Sequence, residues 1–361
     1  MKILFSDNAI WGLLNFRLGI INHFLSCGYD VVLVAPRDEL SSGEQIPRGA
    51  KYIPIKMDRT STNPYKDIGY LYRLFKIYSA ERPDYIFHYT IKPNIYGSFI
   101  ANILHIRSCA VITGLGYVFS KNSIANKIAR EMYRLALKYP EKIIVLNREN
   151  AEILTGLGFI SHDRMILLPG GEGVNLSKYN ALPYPHNNRI QFLMIGRLLY
   201  EKGYSEYVAV AQQLCDRADF YIMGALDTNP TGVPEQVVRR DVEKGYIRYI
   251  PFSPDVISYI NKADCIVLPS YHEGLSRVLM EALAIGRPII CSDIPGCRET
   301  VNNNINGLLC KPQSVNSLKE ACEKFLLLSY EERSLMGMEG RKLAESVFDE
   351  KQVINQFVHL L

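Results

Sequence analysis

Short β-branched and aliphatic runs alternate with amphipathic stretches along nearly the whole chain, the pattern of parallel strands joined by crossover helices. In the first half these runs predict strands over Lys2–Phe5, Asp30–Ala35, Tyr52–Ile55, Tyr85–His88, Ala110–Thr113, Lys142–Leu146 and Met165–Leu168. The polar, proline-bearing stretch Ala181-Leu182-Pro183-Tyr184-Pro185-His186-Asn187-Asn188 then interrupts the series and reads as a linker, in which Asn187→Ala is expected to change activity little. A second series follows, with strands predicted over Ile190–Ile195, Phe220–Met223, Arg248–Ile250, Cys265–Leu268 and Pro288–Cys291, and three helical segments without intervening strands run from Val315 to the end. The expected fold is α/β: two doubly wound, Rossmann-like domains, residues 1–180 and 181–345, facing a central cleft. Residues 346–361 are expected to form a helix that crosses back to the first domain. In such sheets ligands settle at the carboxyl ends of the strands, so the strand-to-helix loops are where function is sought.

A length of 361 residues suits two domains that each bury a core. Apolar residues make up 48% and charged residues 22%, and no stretch approaches the roughly 18 unbroken apolar residues of a membrane span. Met1 leads directly into Lys2-Ile3-Leu4-Phe5 without the succession of an export signal, so a cytoplasmic location is expected. The eight cysteines lack CxxC or zinc-ligand spacing and are expected to be mostly reduced core thiols. Charge changes the picture more than composition does. The net charge of +4 hides a split: residues 1–180 carry 22 Lys and Arg against 15 Asp and Glu, the remainder 19 against 22, and residues 51–148 alone 16 against 6. Such a local excess points to a polyanionic surface as partner.

Three loops carry candidate chemistry. Ile195-Gly196-Arg197-Leu198-Leu199-Tyr200-Glu201-Lys202-Gly203 follows the first strand of the second domain and opens a helix, where helix-start amides and flexible glycines already favour an anion. A diphosphate fits two cations there, and an exposed basic turn would read the same way. In Pro269-Ser270-Tyr271-His272-Glu273-Gly274-Leu275-Ser276-Arg277-Val278-Leu279-Met280-Glu281-Ala282 a strand ends, a Glu-Gly loop turns, and a helix starts near Ser276. Glu273 in the loop and Glu281 about a turn and a half into the helix are spaced to hold hydroxyls at separate points of a nucleotide sugar, or form a solvated acidic face. In Ile10-Trp11-Gly12-Leu13-Leu14-Asn15-Phe16-Arg17, after the first strand, Gly12 lets backbone amides approach a phosphate, while Trp11 and Phe16 can simply pack.

In this order and at these separations, Gly196-Arg197-x4-Lys202-Gly203, Glu273-x7-Glu281 and the loop Gly170-Gly171-Glu172-Gly173-Val174-Asn175 resemble the retaining GT-B glycosyltransferases of family 4, over essentially the full chain. A closer likeness, in Thr113-Gly114-Leu115-Gly116-Tyr117, Gly224-Ala225-Leu226-Asp227-Thr228-Asn229-Pro230 and Leu268 to Gly274, is to the bacterial subgroup that adds an α-linked N-acetylhexosamine to a sugar on undecaprenyl diphosphate in O-antigen, capsule or N-glycan assembly. The resemblance implies a UDP-sugar donor, N-acetylgalactosamine or a related sugar, and no cofactor. It implies that Arg197 and Lys202 hold the donor diphosphate, with the Gly12 amide, and neutralise the departing UDP. Glu273 would contact the transferred sugar, the Gly274, Leu275 and Ser276 amides the β-phosphate, and Glu281 the ribose. It also implies that the acceptor hydroxyl attacks the face UDP leaves, a phosphate oxygen taking its proton. No Asp-x-Asp triplet stands at a strand end, so no metal is expected and Lys and Arg take the ion's place. The family presents a histidine at the end of a first-domain strand near the donor sugar; in Phe87-His88-Tyr89-Thr90-Ile91-Lys92-Pro93-Asn94 either His88 or Lys92 could fill that role, and a strand-end histidine can also be purely structural.

Within Lys121 to Pro140, Lys127, Arg130, Arg134 and Lys138 fall on one helical stripe, with Ile124, Ile128, Met132 and Leu135 roughly 90° round. Tyr65 to Arg82 adds Lys66, Arg73, Lys76 and Arg82 among Tyr65, Tyr70, Tyr72, Phe75 and Tyr78. Cations bordering apolar and aromatic surface suit a helix lying on anionic lipid, and an ordinary amphipathic helix packed on its own sheet shares the pattern. A polyprenyl-diphosphate-linked saccharide acceptor would need both membrane contact and positive charge, which places the expected protein at the inner face of the plasma membrane. No RNA-binding aromatic signature or helix-turn-helix accompanies the charge, so nucleic acid is not expected as partner. A UDP-sugar epimerase of the same fold and a non-catalytic carbohydrate-binding protein are the alternatives; the first would need acid/base residues in place of the Arg197/Lys202 and Glu273/Glu281 set.

Overall fold

The continuous apolar runs become the central strands of two parallel sheets, since a parallel sheet covered by helices on both faces buries every side chain. The structure is a computed structural model that describes residues 1–38, 45–58, 64–115, 124–227, 229 and 231–361, apart from the side chains of residues 64–66 and 124–125. Gly116, Tyr117, Thr228 and Pro230, quoted above for the resemblance, lie outside the described residues, as do Lys121 and the side chains of Tyr65, Lys66 and Ile124. The chain forms two compact units, Met1–Glu172 with Glu350–Leu361, and Gly173–Asp349.

The first unit holds β1 (Lys2–Ser6), β2 (Asp30–Ala35), β3 (Ala50–Pro54), β4 (Tyr85–Tyr89), β5 (Arg107–Ile112), β6 (Lys142–Val145) and β7 (Met165–Leu167), in the order β3-β2-β1-β4-β5-β6-β7. The second holds β8 (Gln191–Ile195), β9 (Asp219–Gly224), β10 (Arg248–Pro251), β11 (Cys265–Leu268), β12 (Ile289–Ser292) and β13 (Gly307–Cys310), in the order β10-β9-β8-β11-β12-β13. Both orders reverse direction once, between β1 and β4 and between β8 and β11. The loops leaving those strands therefore lie side by side at the position where doubly wound sheets bind ligands. In register, Ser6 at the end of β1 stands beside His88 of β4.

β3 and β5 begin earlier than expected, at Ala50 and at Arg107 ahead of its apolar run, and β13 was not expected because it opens on a glycine. That glycine is required: a Cβ on Gly307 would lie 2.3 Å from the Ile289 carbonyl oxygen. The three helical segments expected after Val315 are Val315–Leu326, Tyr330–Val347 and Glu350–Val358. Ser329 and Glu332 form a capping box that starts the second of them. The third belongs to the first unit, where Phe357 packs on Phe87 with ring centroids 5.2 Å apart. Six of the eight free cysteines are buried, as expected of core thiols; Cys27 and Cys215 are exposed.

The stretch read as a linker lies inside the second unit and is pinned there. Arg287, fully buried, donates to the carbonyls of Leu182, Pro183, Asn261 and Ile285 and to Asn261 Oδ1, satisfying carbonyls that the ends of two helices leave open. Asn187 ties into that unit: its amide donates to Asp264 Oδ2 at 2.7 Å and to the Lys262 carbonyl at 2.9 Å, and Asp264 is buried with its carboxyl raised above the usual range by desolvation.

Candidate functional site

In the second unit the loops leaving β8 and β11 are locked together by a glycine that admits no side chain. Gly203 has φ +81°, and a Cβ there would sit 2.2 Å from the Pro269 carbonyl oxygen. This approach brings Lys202 Nζ to 2.5 Å from Glu273 Oε1, which also accepts from Ser270 Oγ at 2.8 Å. The Tyr271 amide donates to the Glu201 carbonyl and the Tyr271 hydroxyl to Glu206 Oε1, at 2.8 and 2.7 Å. From the other side Gly296, φ +83°, backs the turn closely enough that a Cβ would lie 2.5 Å from the Gly274 carbonyl oxygen. The Ser276 amide donates to the Gly296 carbonyl at 2.9 Å, which commits one of the three amides expected beside the phosphate. Gly296 and Glu206 were not singled out in the sequence, because a supporting glycine after the next strand and an acid in a helix's first turn carry no local signal.

Arg197 and Glu281 each have their own partner. Arg197, about half exposed, pairs through Nη1 with Asp227 Oδ2 at 2.9 Å. Glu281 is buried and accepts from Arg277 Nε at 2.9 Å. The Tyr179 hydroxyl is held above the usual phenol range, by burial first and then by the neighbouring Glu281 charge.

In the first unit Gly12 lies in the helix Ile10–Phe16, where its amide donates to the Ala9 carbonyl at 3.2 Å and a Cβ would crowd the Asp7 carboxylate and the Arg17 guanidinium. Trp11 and Phe16 pack edge to face, 5.0 Å between centroids. Arg17 is buried: Nε meets Glu172 Oε1 at 2.6 Å, Nη1 lies 3.5 Å from Asp7 Oδ2, and the guanidinium stands 4.5 Å over the Tyr89 ring. The structure seats His88 in the core. It is 0% exposed, with Nε2 3.2 Å from the Tyr78 hydroxyl and Nδ1 3.4 Å from Ser98 Oγ, and desolvation holds its imidazole down at about 3. A Cβ on Gly97 would touch the ring, so the wide turn Pro93–Gly97 closes directly over it. Lys92 lies nearer the surface, paired with Asp67 Oδ1 at 2.6 Å, while Asp67 Oδ2 accepts from the Tyr96 hydroxyl at 2.6 Å.

The helix Ile124–Ala136 settles which of its stripes packs. Asn126, Tyr133, Ala136 and the following Leu137 are buried, whereas Ile128, Met132 and Leu135 are exposed. Phe99 and Ile103 of the helix Ser98–Ile103 and Tyr139 are exposed too, and the Phe99 and Tyr139 rings lie 6.1 Å apart. On the helix Pro64–Glu81, Ile68, Tyr72 and Phe75 face outward, with Lys76 Nζ 4.6 Å over the Tyr72 ring. Among the described residues no helix is long and apolar enough to cross a membrane, and no group of three or more His, Cys, Asp or Glu is placed to hold a metal ion.

Comparison with known proteins follows the two units. Residues 183–343 match the group 1 glycosyl transferases, and residues 2–147 match the 4-like glycosyl transferases. The chain is 26% identical to the N,N'-diacetylbacillosaminyl-diphospho-undecaprenol alpha-1,3-N-acetylgalactosaminyltransferase of Campylobacter jejuni, over 100% of this chain and 98% of that protein. It is 24% identical to the UDP-Gal:alpha-D-GlcNAc-diphosphoundecaprenol alpha-1,3-galactosyltransferase of Escherichia coli, over 71% of this chain and 70% of that one. Among solved structures, sucrose-phosphate synthase from Thermosynechococcus elongatus superposes with a TM-score of 0.82 at 18% identity, covering 100% of this chain and 98% of that one. Anabaena HepE in complex with UDP-glucose gives 0.78 at 14% identity, with 100% of both chains covered.

Proposed function

We propose that this chain, which belongs to the retaining GT-B glycosyltransferases of family 4, moves N-acetylgalactosamine or a related hexose-type sugar from UDP to a saccharide carried on polyprenyl diphosphate, in bacterial surface polysaccharide or glycan assembly. The single observation that carries the reading is the meeting of Lys202 and Glu273 where the loops leaving β8 and β11 touch. An ammonium and a carboxylate 2.5 Å apart supply what cleavage of a sugar–diphosphate bond asks for: a fixed cation for the leaving phosphate and an acceptor for sugar hydroxyls. Arg197, on the same loop, adds a second cation. The Gly274 and Leu275 amides lie at the start of the helix Arg277–Ile285 and favour negative charge there, and Glu281 holds the ribose. The bond from the anomeric carbon to the β-phosphate oxygen breaks, the acceptor oxygen bonds to that carbon on the face UDP leaves, and a donor phosphate oxygen takes the acceptor's proton. Lys and Arg neutralise the departing diphosphate without a metal ion.

In the first unit the Gly12 amide donates to the Ala9 carbonyl, so its proposed part in phosphate binding requires that bond to be exchanged for the phosphate. There we assign the substrate-facing role to Lys92 and not to His88, because a group buried at 0% exposure under the Pro93–Gly97 turn touches nothing outside the core. The lipid-linked acceptor is supported by the names of the Campylobacter and Escherichia relatives, both of which act on undecaprenol diphosphate sugars. The UDP-sugar donor is supported by the HepE complex with UDP-glucose. Contact with the anionic inner leaflet of the plasma membrane is supported by the outward stripe of Ile128, Met132 and Leu135 beside Lys127, Arg130, Arg134 and Lys138. The test is to offer a panel of UDP-sugars with a synthetic polyprenyl-diphosphate saccharide and measure UDP. Release from one of them only when acceptor is added, with an α-linked product by NMR, is expected; a β-linked product, or turnover of the donor without acceptor, contradicts the reading.

A further inference from the structure

Arg277 fixes the Glu281 carboxylate, yet the chemistry proposed above makes no use of it. It is the first residue of the helix Arg277–Ile285, and it donates from Nε to Glu281 Oε1 at 2.9 Å and from Nη1 to the Gly173 carbonyl at 2.5 Å. Its guanidinium carbon lies 5.9 Å from the centroid of Tyr179, whose hydroxyl neighbours the same carboxylate. Helix stability does not account for this arginine. A cation in the first turn faces the positive end of the helix dipole, and Arg four residues ahead of Glu is the less favourable order of an i,i+4 pair. Nor is it a surface ion pair, because the side chains of Arg277 and Glu281 are only 17% and 9% exposed. What the arrangement achieves is orientation. A planar fork reaching two acceptors at once sets the rotation of the Glu281 carboxylate and ties it to Gly173, the residue on which the chain enters the second unit. An ionised carboxylate has about four acceptor positions, so the bond to Arg277, even with the Tyr179 hydroxyl beside it, leaves capacity for a pair of hydroxyl donors.

We propose that Arg277 is a positioning residue for ribose recognition: by holding the Glu281 carboxylate at a fixed angle it lets Glu281 distinguish a ribose from a deoxyribose. The inference rests on Glu281 holding the ribose. The full chain and its variants R277Q, R277K and E281Q are titrated calorimetrically with UDP, 2′-deoxy-UDP and 3′-deoxy-UDP. In the unmodified chain UDP should bind about tenfold or more tightly than at least one deoxy analogue, the scale of a hydrogen bond to a charged group. R277Q should lose most of that preference, weakening UDP about tenfold and the disfavoured analogue by less than twofold. R277K keeps the charge but not the two-acceptor fork, and should lose about threefold or more; it carries the test if R277Q does not fold. An unchanged preference in R277Q or R277K alongside a lost preference in E281Q overturns the role of Arg277 and leaves Glu281 on the ribose. Equal weakening of all three nucleotides also overturns it, since that is what mere loss of local structure produces. An unchanged preference in E281Q removes Glu281 from the ribose, and the inference with it.

Discussion

Lys202 and Glu273 meet at 2.5 Å, so an anion binding at this loop competes with a carboxylate for one ammonium. The two substitutions should therefore differ in kind. Lys202→Ala should depress turnover by about 10² or more, the scale of losing one preorganised stabilising group, and weaken UDP. Glu273→Ala should depress turnover similarly while leaving UDP binding equal or tighter, because the ammonium is released to the phosphate. Steady-state rates with calorimetric UDP affinities check both, and near-unchanged turnover in both would move the site elsewhere. His88 makes a prediction of another sort. Its folded-state pKa, about 3, lies below the ordinary 6.5, so the unfolded chain takes up a proton that the folded chain refuses as pH falls from about 6.5 toward 3. Stability should fall through that window by up to about 1.4 kcal/mol per pH unit from this group, and His88→Gln should remove that part of the slope in urea unfolding measured at several pH values. The strand-to-helix loops that carry Lys202 and Glu273 were legible in the sequence as loops. The burial of His88 was not, because all five residues of β4 are buried and a central strand carries no alternation to say which side a residue faces.

At the scale of the element, the helix Ile124–Ala136 has an apolar stripe that a sequence reading can assign to the core or to a partner with equal justice. The structure separates the two, since the helix packs through Tyr133, Ala136 and Leu137 and turns Ile128, Met132 and Leu135 outward. Replacing Ile128 and Leu135 together by Asp should abolish co-sedimentation with anionic liposomes at low salt, while the thermal midpoint moves little, as for other exposed positions. Undiminished co-sedimentation would show that this stripe is not the lipid-facing surface. Long apolar runs bounded by turns were read correctly as strands. β13 escaped because four residues that begin with a required glycine give no period to detect, and the tethers of Asn187 escaped because they depend on Asp264 and Lys262, more than seventy positions away.

Across the molecule, charge and chemistry are divided between the two units. The positive excess falls within residues 51–148 of the first, together with the outward apolar stripes, and the contact between Lys202 and Glu273 lies in the second. That division suits an enzyme that takes one substrate from a membrane and the other from solution, and both sheets place their reversal points where ligands bind in doubly wound folds. In the proposed reaction side-chain cations, in place of a divalent ion, carry the charge of the leaving UDP. The most direct test is the rate of acceptor-dependent UDP release with EDTA in excess. A rate unchanged by EDTA in the unmodified chain and lost in Lys202→Ala is the predicted result; a rate abolished by EDTA and restored by manganese would contradict it.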